Sequence, residues 1–483
     1  MSSTPEQPEE DDLPPISAYA DDSQPHLRVV EHGDEGEATL PPPLSHPALA
    51  DAWVRRWGED WRYCKEWGCW LEWNGHVWAR VRGNKHFELA RQIVVQAAIS
   101  APAKELPPNK RREICSAGYA AAILHYVRSH PKVEAVAAQF DCDPMALATP
   151  DGTIDLATGE MREAAREAYC TRSTLCGPAK GVPELWLACL ARWFGADPAL
   201  IDYAQLFSGY AASGDTSEKM FLFIHGTADT GKTTFVEVLM AILDGYAQSA
   251  SMDTFTESAM ERHTTELAEL AGARLVCAPE TEEGRRWNQA RINQITGRDR
   301  VRARFMRQDN FEYRPQFKLC VYGNYAPHVK NVDDALRRRI HILPFAHQIP
   351  REEQDAHLDE RLRVEYPQIL AWIVEGALEW RKRGLSQPEA MAHAKDNYLE
   401  SEDSFGDWVR ECCEYEERAF TLRADAYASF KRWCDANGEK PLGAKRFTQQ
   451  LSIRGFDTSR RTVAGNTQRG FSGMRLRLQA PQG

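Results

Sequence analysis

Apolar positions along this chain recur at two spacings, and the spacing changes several times. Trp53, Trp57 and Trp61 step by four, which predicts one face of a helix. CWLEW and HVWARV flank Asn74-Gly75, a dipeptide that tolerates positive φ at both turn positions, and together they predict a hairpin. Helical spacing returns over 86–99 and 113–128, and TPDGTIDLATGEMRE predicts a second hairpin at Asp151-Gly152. Two helices over 184–195 and 197–211 lead to FLFI, a short unbroken apolar run of the kind a fully buried strand shows. PQILAWIVEGALEW predicts a helix stopped at Gly384, with a restart at Pro388. From about 401 further helices are expected, the last of them in GAKRFTQQLSIRGF, followed by RRTVAG and GMRLRLQ as a strand pair. Helices followed by a two-stranded ribbon suggest a winged helix.

Composition divides the chain unevenly. Its 483 residues are enough for two or three domains. The formal charge is -11, but Met1–His46 holds eleven Asp or Glu against Arg28, a net of -10, which leaves about -1 for the rest. That segment is rich in Pro, Glu and Asp and poor in aromatics, so it cannot bury enough apolar surface to offset its ordering entropy. The expected plan is an acidic disordered tail over 1–48 and a mostly helical domain with hairpins over 49–215. An ATPase core over 216–350, a helical connector over 351–400 and a winged-helix-like domain over 401–483 complete it. Seven of the fourteen tryptophans fall between 49 and 78, where core packing is favoured over base stacking. Twelve cysteines without a CxxC pair argue against a zinc site and a disulfide framework. No apolar run is long enough to span a membrane and no secretory leader opens the chain, so a cytoplasmic protein of its host cell is expected.

The chemistry lies in the centre. Gly226–Thr233 fits GxxxxGK[ST] with a buried strand before it and an amphipathic helix after it, the context a P-loop requires. Gly226, Thr227, Ala228, Asp229, Thr230, Gly231, Lys232, Thr233 and Thr234 are therefore candidates to cradle the phosphates of ATP. Lys232 would neutralise the β and γ oxygens, and Thr233 would ligate Mg2+. Hydrolysis also needs a carboxylate at the end of a neighbouring strand. In ARLVCAPETEEG, Glu280 is the first candidate to polarise water or hold the metal, and Glu282 the second. FKLCVYGNYAP ends in Asn324, whose amide could orient that water.

Between Gly284 and Arg339 fourteen Lys or Arg face five acids, a net of +9. RVRARFMRQDNFEYRP alternates apolar and basic residues and predicts a cationic hairpin that would grip a phosphate backbone through Arg300, Arg302, Arg304 and Arg307. From Pro441 to Gly483 eight basic residues face Asp457 alone, a net of +7, and Lys445 and Arg446 are read as DNA contacts there. DDALRRRIHILPF sets Arg337, Arg338 and Arg339 on a short helix before a strand; an arginine reaching a neighbouring subunit's γ-phosphate would make the active site an interface. FDCDP spaces Asp141 and Asp143 as a primase spaces metal ligands, but without a third convergent ligand a loop acid pair is expected.

GTADTGKTT, APETEEGRRWNQARINQITGRDRVRARF, RPQFKLCVYGNYAP and DDALRRRIHILPF, in that order, resemble the superfamily 3 helicases, most closely the phage/plasmid and poxvirus-type primase–helicase family. The likeness spans roughly residues 50–480. It implies an α/β, P-loop (AAA+-like) ATPase core preceded by a helical domain and followed by a winged helix. It also implies Glu280 as the Walker B acid, Asn324 as the sensor, Arg338 and Arg339 as finger positions, and Arg304, Arg307 and Lys318 in the DNA-gripping segment. Arg337 stands where relatives often carry tryptophan, Ala228 replaces a common glycine, and no catalytic primase domain is expected before residue 50. The implied function is an ATP-dependent, ring-forming DNA helicase, a hexamer moving 3' to 5' on single-stranded or forked DNA in replication of a phage, plasmid or other mobile element. Primers would come from a separate primase or polymerase. The alternative is a nucleotide-switched DNA-binding loader or regulator without strand separation; Glu280, Asn324 and the arginines together favour the motor.

Overall fold

A computed structural model describes residues 43–102, 104, 106–257, 265–280, 286–304, 310–325, 327, 334–401, 403–439, 441–463 and 466–477. Glu282, Arg307 and the acidic segment over 1–42 lie outside the described residues. Contacts divide the chain into two compact units, one holding 86–127 together with the residues up to 56, the other holding 57–85 and everything from 128 onward.

The first unit is helical. His46–Trp57, Lys85–Ser100, Pro108–Ile114 and Ala117–Arg128 supply it, with Leu49, Trp53, Ile93, Ile123 and Leu124 buried. The expectation that Trp61 continues the face of Trp53 and Trp57 is corrected. The helix ends at Trp57 just before Gly58, Asp60 N closes a turn on Trp57 O at 3.0 Å, and Trp61 opens a strand, Trp61–Cys64.

In the second unit that strand joins Cys69–Trp73, Trp78–Arg80 and Glu134–Ala135 in one small sheet. Trp73 pairs with Trp78 across the Asn74-Gly75 turn, where the Asn74 carboxamide accepts from the N–H of His76 and of Val77. A second small sheet holds the hairpin Ala146–Thr149 and Gly152–Asp155 with Met161–Arg162.

The centre is a five-stranded sheet in the order Ile340–Pro344, Phe221–His225, Lys318–Gly323, Leu275–Pro279, Ala247–Ser249, every neighbouring pair parallel. Both faces are covered, which is why four of its strands read as apolar runs rather than as alternation. On one face Leu222, Ile224, Cys277, Cys320 and Leu343 pack against Phe235 and Leu239 of the Lys232–Leu243 helix and against Trp186 and Trp193. On the other, Phe223, Val276, Val321 and Ile342 pack against Trp287, Ile292 and Val301. The molecule is thus mixed α/β around a parallel sheet.

Two helices, Pro198–Ala212 before the sheet and Tyr366–Arg383 after it, cross where Gly209 meets Ala377 and Gly376 meets Gln205. A Cβ on either glycine would collide with backbone of the other helix, so the crossing distance is set by the missing side chains. Gly384, at φ 71°, ends the second helix as expected.

The C-terminal module orders helix Ser404–Cys412, strand Cys413–Leu422, helices Arg423–Ala436 and Ala444–Ile453, and strands Thr458–Val463 and Asn466–Leu476. Its antiparallel sheet places Asn466–Leu476 in the middle. Trp408, Phe430, Phe447, Leu451, Phe471 and Met474 form its own core. The Cys413–Leu422 strand is absent from the sequence reading because CEYEERAFTL lies at a sheet edge with most of its first half exposed, which erases the apolar alternation.

Gly209→Leu should lower stability by about 1–3 kcal/mol through overpacking at the helix crossing. Thermal or urea unfolding checks this, with Gly443→Leu, at a glycine whose Cβ direction is open, as the control expected to change little.

Candidate active site

Gly226–Gly231 leaves the C-terminal end of the Phe221–His225 strand and enters the Lys232–Leu243 helix at its N-terminus, whose first N–H groups have no partner within the helix. Thr227, Ala228 and Asp229 are exposed. The loop is seated from behind. A Cβ on Gly226 would strike Phe345 O, and one on Gly231, at φ 90°, would strike the indole of Trp193. Ile349 N donates to Asp229 O at 2.8 Å, and Phe345 N to His225 O at 2.8 Å. Lys232 is 7 % exposed; its ammonium donates to Gly226 O at 2.9 Å, to Thr227 O and to Thr230 Oγ1 at 3.2 Å. Burial draws its pKa below the ordinary lysine value, with Asp229 opposing. Thr233 is exposed beside it. An exposed loop between two glycines, a lysine and a helix N-terminus form a donor set that fits a polyphosphate and one hard cation.

Parallel pairing puts two further strand ends beside this loop. Gly323 is in register with His225, and Tyr322 with Pro279. Asn324 and Glu280 therefore follow the ends of the next two strands. Glu280 N donates to Tyr322 O at 2.9 Å, and its Oε2 accepts from Tyr325 N at 2.6 Å. The carboxylate reaches across Gly323, where any Cβ would collide with it. His225 Nε2 lies 3.1 Å from Asn324 O. Among the described residues no group of three or more His, Cys, Asp or Glu is placed to hold a metal ion, so a cation here would depend on Thr233, Glu280, water and the phosphates themselves.

The arginine cluster sits at the other end of the sheet. The Asp334–Arg339 helix runs into Ile340, which pairs with Phe221, whereas the loop follows His225, which pairs with Pro344. The five residues of that strand separate the arginines from their own loop by about 17 Å. Arg337 is held by Asp396 at 3.2 Å, and Arg339 by Asn293 Oδ1 at 2.9 Å. Arg338 is exposed, its Nε donating to Asp334 O of its own helix turn at 3.0 Å.

The cationic hairpin forms between Val301–Ala303 and Phe311–Tyr313. Val301 and Ala303 are buried while Arg302 and Arg304 are exposed, so the cations share the outer face. Glu312 opposes Arg302 in register and approaches Arg300 at 3.8 Å. Lys445 and Arg446 are exposed at the start of the Ala444–Ile453 helix. The assignment of Lys318 to the gripping segment is corrected. Lys318 is 1 % exposed and donates to Ser213 O, Asp215 O and Gln316 O, with the Tyr210 ring 4.8 Å away. Burial and the nearby Arg274 push its pKa well below the ordinary value. It pins the turn after the Pro198–Ala212 helix to the sheet.

The acid pair of FDCDP has local work. Asp141 accepts from the N–H and hydroxyl of Thr171, and Asp143 from Met145 N at 2.8 Å. Trp193, Gly323 and His225 are site residues that sequence reasoning missed. GNY hinted at Gly323 through its small residue after a strand, but nothing in the local pattern pointed to Trp193.

Three family matches cover much of the chain in order: D5 N terminal like over 50–195, a family of unknown function (DUF5906) over 224–339, and Poxvirus D5 protein-like over 400–457. Among curated proteins the chain is similar to "Putative helicase L207/L206" of Acanthamoeba polyphaga mimivirus, 23% identical over 265 residues, 50% of this chain and 27% of that protein. It is also similar to "Putative helicase 022R" of Frog virus 3 (isolate Goorha), 26% identical over 255 residues, 48% of this chain and 26% of that protein. The alignments thus span about a quarter of each relative. Among solved structures, apo forms of the NrS-1 C-terminal region superpose with TM-scores of 0.51 and 0.52 at 11% and 10% identity, covering 89% of this chain and 100% and 99% of theirs, a likeness of fold. Two of the matched families carry the D5 name, and the curated relatives, each aligned to about half of this chain, carry the word helicase. These matches are consistent with a D5-type superfamily 3 primase–helicase family.

Proposed function

We propose that this chain is an ATP-driven DNA helicase that works as a ring, with a P-loop, AAA+-like core over the parallel sheet and a winged helix at its C-terminal end. One observation carries the reading: the loop, Glu280 and Asn324 gather at one edge of the sheet, while Arg338 stands exposed at the opposite edge. An arginine so far from its own loop is placed to serve the loop of another copy, and a repeated head-to-tail contact of this kind forms a ring where its rotation closes.

The roles derive from position. Lys232 turns from its loop carbonyls to the β and γ oxygens of ATP, exchanging neutral dipoles for formal negative charge. The helix N-terminus and the loop N–H groups hold the remaining phosphate oxygens. Thr233 and Glu280 are the residues that would hold Mg2+, which when bound neutralises charge between the β and γ groups. Glu280 orients the attacking water, Asn324 fixes it against the γ-phosphate, and Arg338 of the adjoining copy stabilises the charge that develops. Arg302 and Arg304, spaced by two on an outer strand face, suit the phosphates of a single strand without reading its bases. In the C-terminal module, the order helix, strand, two helices and ribbon supports the winged-helix reading, with Lys445 and Arg446 toward a duplex or fork.

Mixing two inactive variants tests the ring. Lys232→Ala and Arg338→Ala should each reduce DNA-stimulated ATPase by roughly a hundredfold or more. Their equimolar mixture should regain part of it, because some sites join an intact loop to an intact arginine from the other variant. A mixture that stays as inactive as its components overturns the shared site.

Arg304→Ala should keep the ATPase rate measured without DNA and reduce its stimulation by single-stranded DNA roughly threefold to tenfold, with a shallower salt dependence of binding. A strand-displacement assay on forked DNA separates motor from loader: stimulated ATPase that never displaces a strand favours the loader.

A further inference from the structure

Asn324 O and Tyr325 N are the two polar ends of one planar peptide group. In this structure each end is held by a side chain from a different flanking strand. From the loop strand, His225 Nε2 lies 3.1 Å from Asn324 O. From the acid strand, Glu280 Oε2 accepts from Tyr325 N at 2.6 Å. A carbonyl can only accept, so Nε2 of His225 carries the hydrogen. The geometry is tight on both sides. His225 is in register with Gly323, its ring packs on Phe223 at 5.4 Å, and Gly323 lacks the Cβ that would push Glu280 away.

We propose that His225 is a positioning residue for the hydrolysis assigned above, on which this inference rests: it anchors the Asn324–Tyr325 peptide so that the Asn324 side chain keeps its aim when Glu280 turns to the nucleotide. Holding this peptide fixes the Asn324 Cα from which the carboxamide projects. Turning toward a water or cation at the phosphates takes Glu280 Oε2 away from Tyr325 N–H. As it leaves, the N–H end of the peptide is released and the carbonyl end is what His225 retains. A neutral imidazole suits the position, since burial pulls the His225 pKa down and the Lys232 ammonium nearby adds to that, so the ring donates without adding a second cation beside the phosphates.

The test uses the full chain with His225→Ala and His225→Gln, the glutamine supplying an N–H donor of similar reach. His225→Ala should lower the ATPase kcat about tenfold while KM for ATP changes less than about twofold. His225→Gln should restore most of the rate. Hydrogen exchange of the peptide covering Tyr322–Tyr325 in nucleotide-free protein gives a readout that needs no turnover: faster in His225→Ala, near the unsubstituted rate in His225→Gln. Unchanged kcat and unchanged exchange in His225→Ala overturn the proposal, as does a loss that glutamine fails to rescue and that tracks a fall in Tm. Should the unsubstituted protein hydrolyse no ATP, the helicase reading falls, and exchange alone then decides the anchor: unchanged exchange overturns it and faster exchange supports it.

Discussion

Parallel strand direction is the constraint on which the rest of this structure depends. It sends the carboxyl ends of all five central strands to one edge, where the chain runs on into the Gly226–Thr233 loop, Glu280 and Asn324. The same direction sends the residues that precede the strands to the opposite edge, including Arg338 before Ile340 and Lys318 at the start of its strand. The geometry of the candidate site and the separation of the arginine from it are therefore one fact seen from two ends. A sheet with a single antiparallel strand at position 340 would place the arginine cluster beside its own loop and remove the argument for a second copy.

The seat of the loop depends on contacts that no local pattern announces. Gly231 has the positive φ expected of its place in the motif, yet its closest neighbour is Trp193, 38 residues earlier in the chain. Trp193 is itself fixed edge-on to Trp186, with ring centroids 5.7 Å apart, and to Phe235, at 6.4 Å. Any loosening of the helix pair around Gly209 and Gly376 reaches the loop through this aromatic group, because Trp186 also meets Trp372 of the second helix at 5.7 Å.

Short-range chemistry is the part of this molecule that could be read from sequence. The loop, the strands on either side of it and the outward face of Arg302 and Arg304 derive from spacing within a dozen residues, and so does the stop at Gly384. Trp61 was legible only as part of a four-residue period, and a glycine three residues earlier ended that period. Long-range contacts such as Trp193 to Gly231 and Gly209 to Ala377 were not legible, since they depend on how distant helices cross. The Cys413–Leu422 strand was hidden for a different reason: an edge strand with a charged exposed half carries no hydrophobic signal.

Lys232 and Lys318 show why residue type alone misleads. Each is buried, and each ammonium meets three oxygens of the chain. At Lys318 the acceptors are carbonyls of a turn clamped between a helix and the sheet, with the Tyr210 ring alongside, so moving the lysine would leave several buried polar groups unmatched. At Lys232 the acceptors belong largely to a loop whose residues 227–229 face solvent, and water can take over those carbonyls once the lysine leaves. Two carbonyl dipoles and a hydroxyl balance a buried ammonium only partly, as its lowered pKa records. On the proposed reading a phosphate oxygen with a formal charge would balance it better, so the cage that stabilises the loop would give way to nucleotide, whereas the Lys318 cage is sealed within the fold.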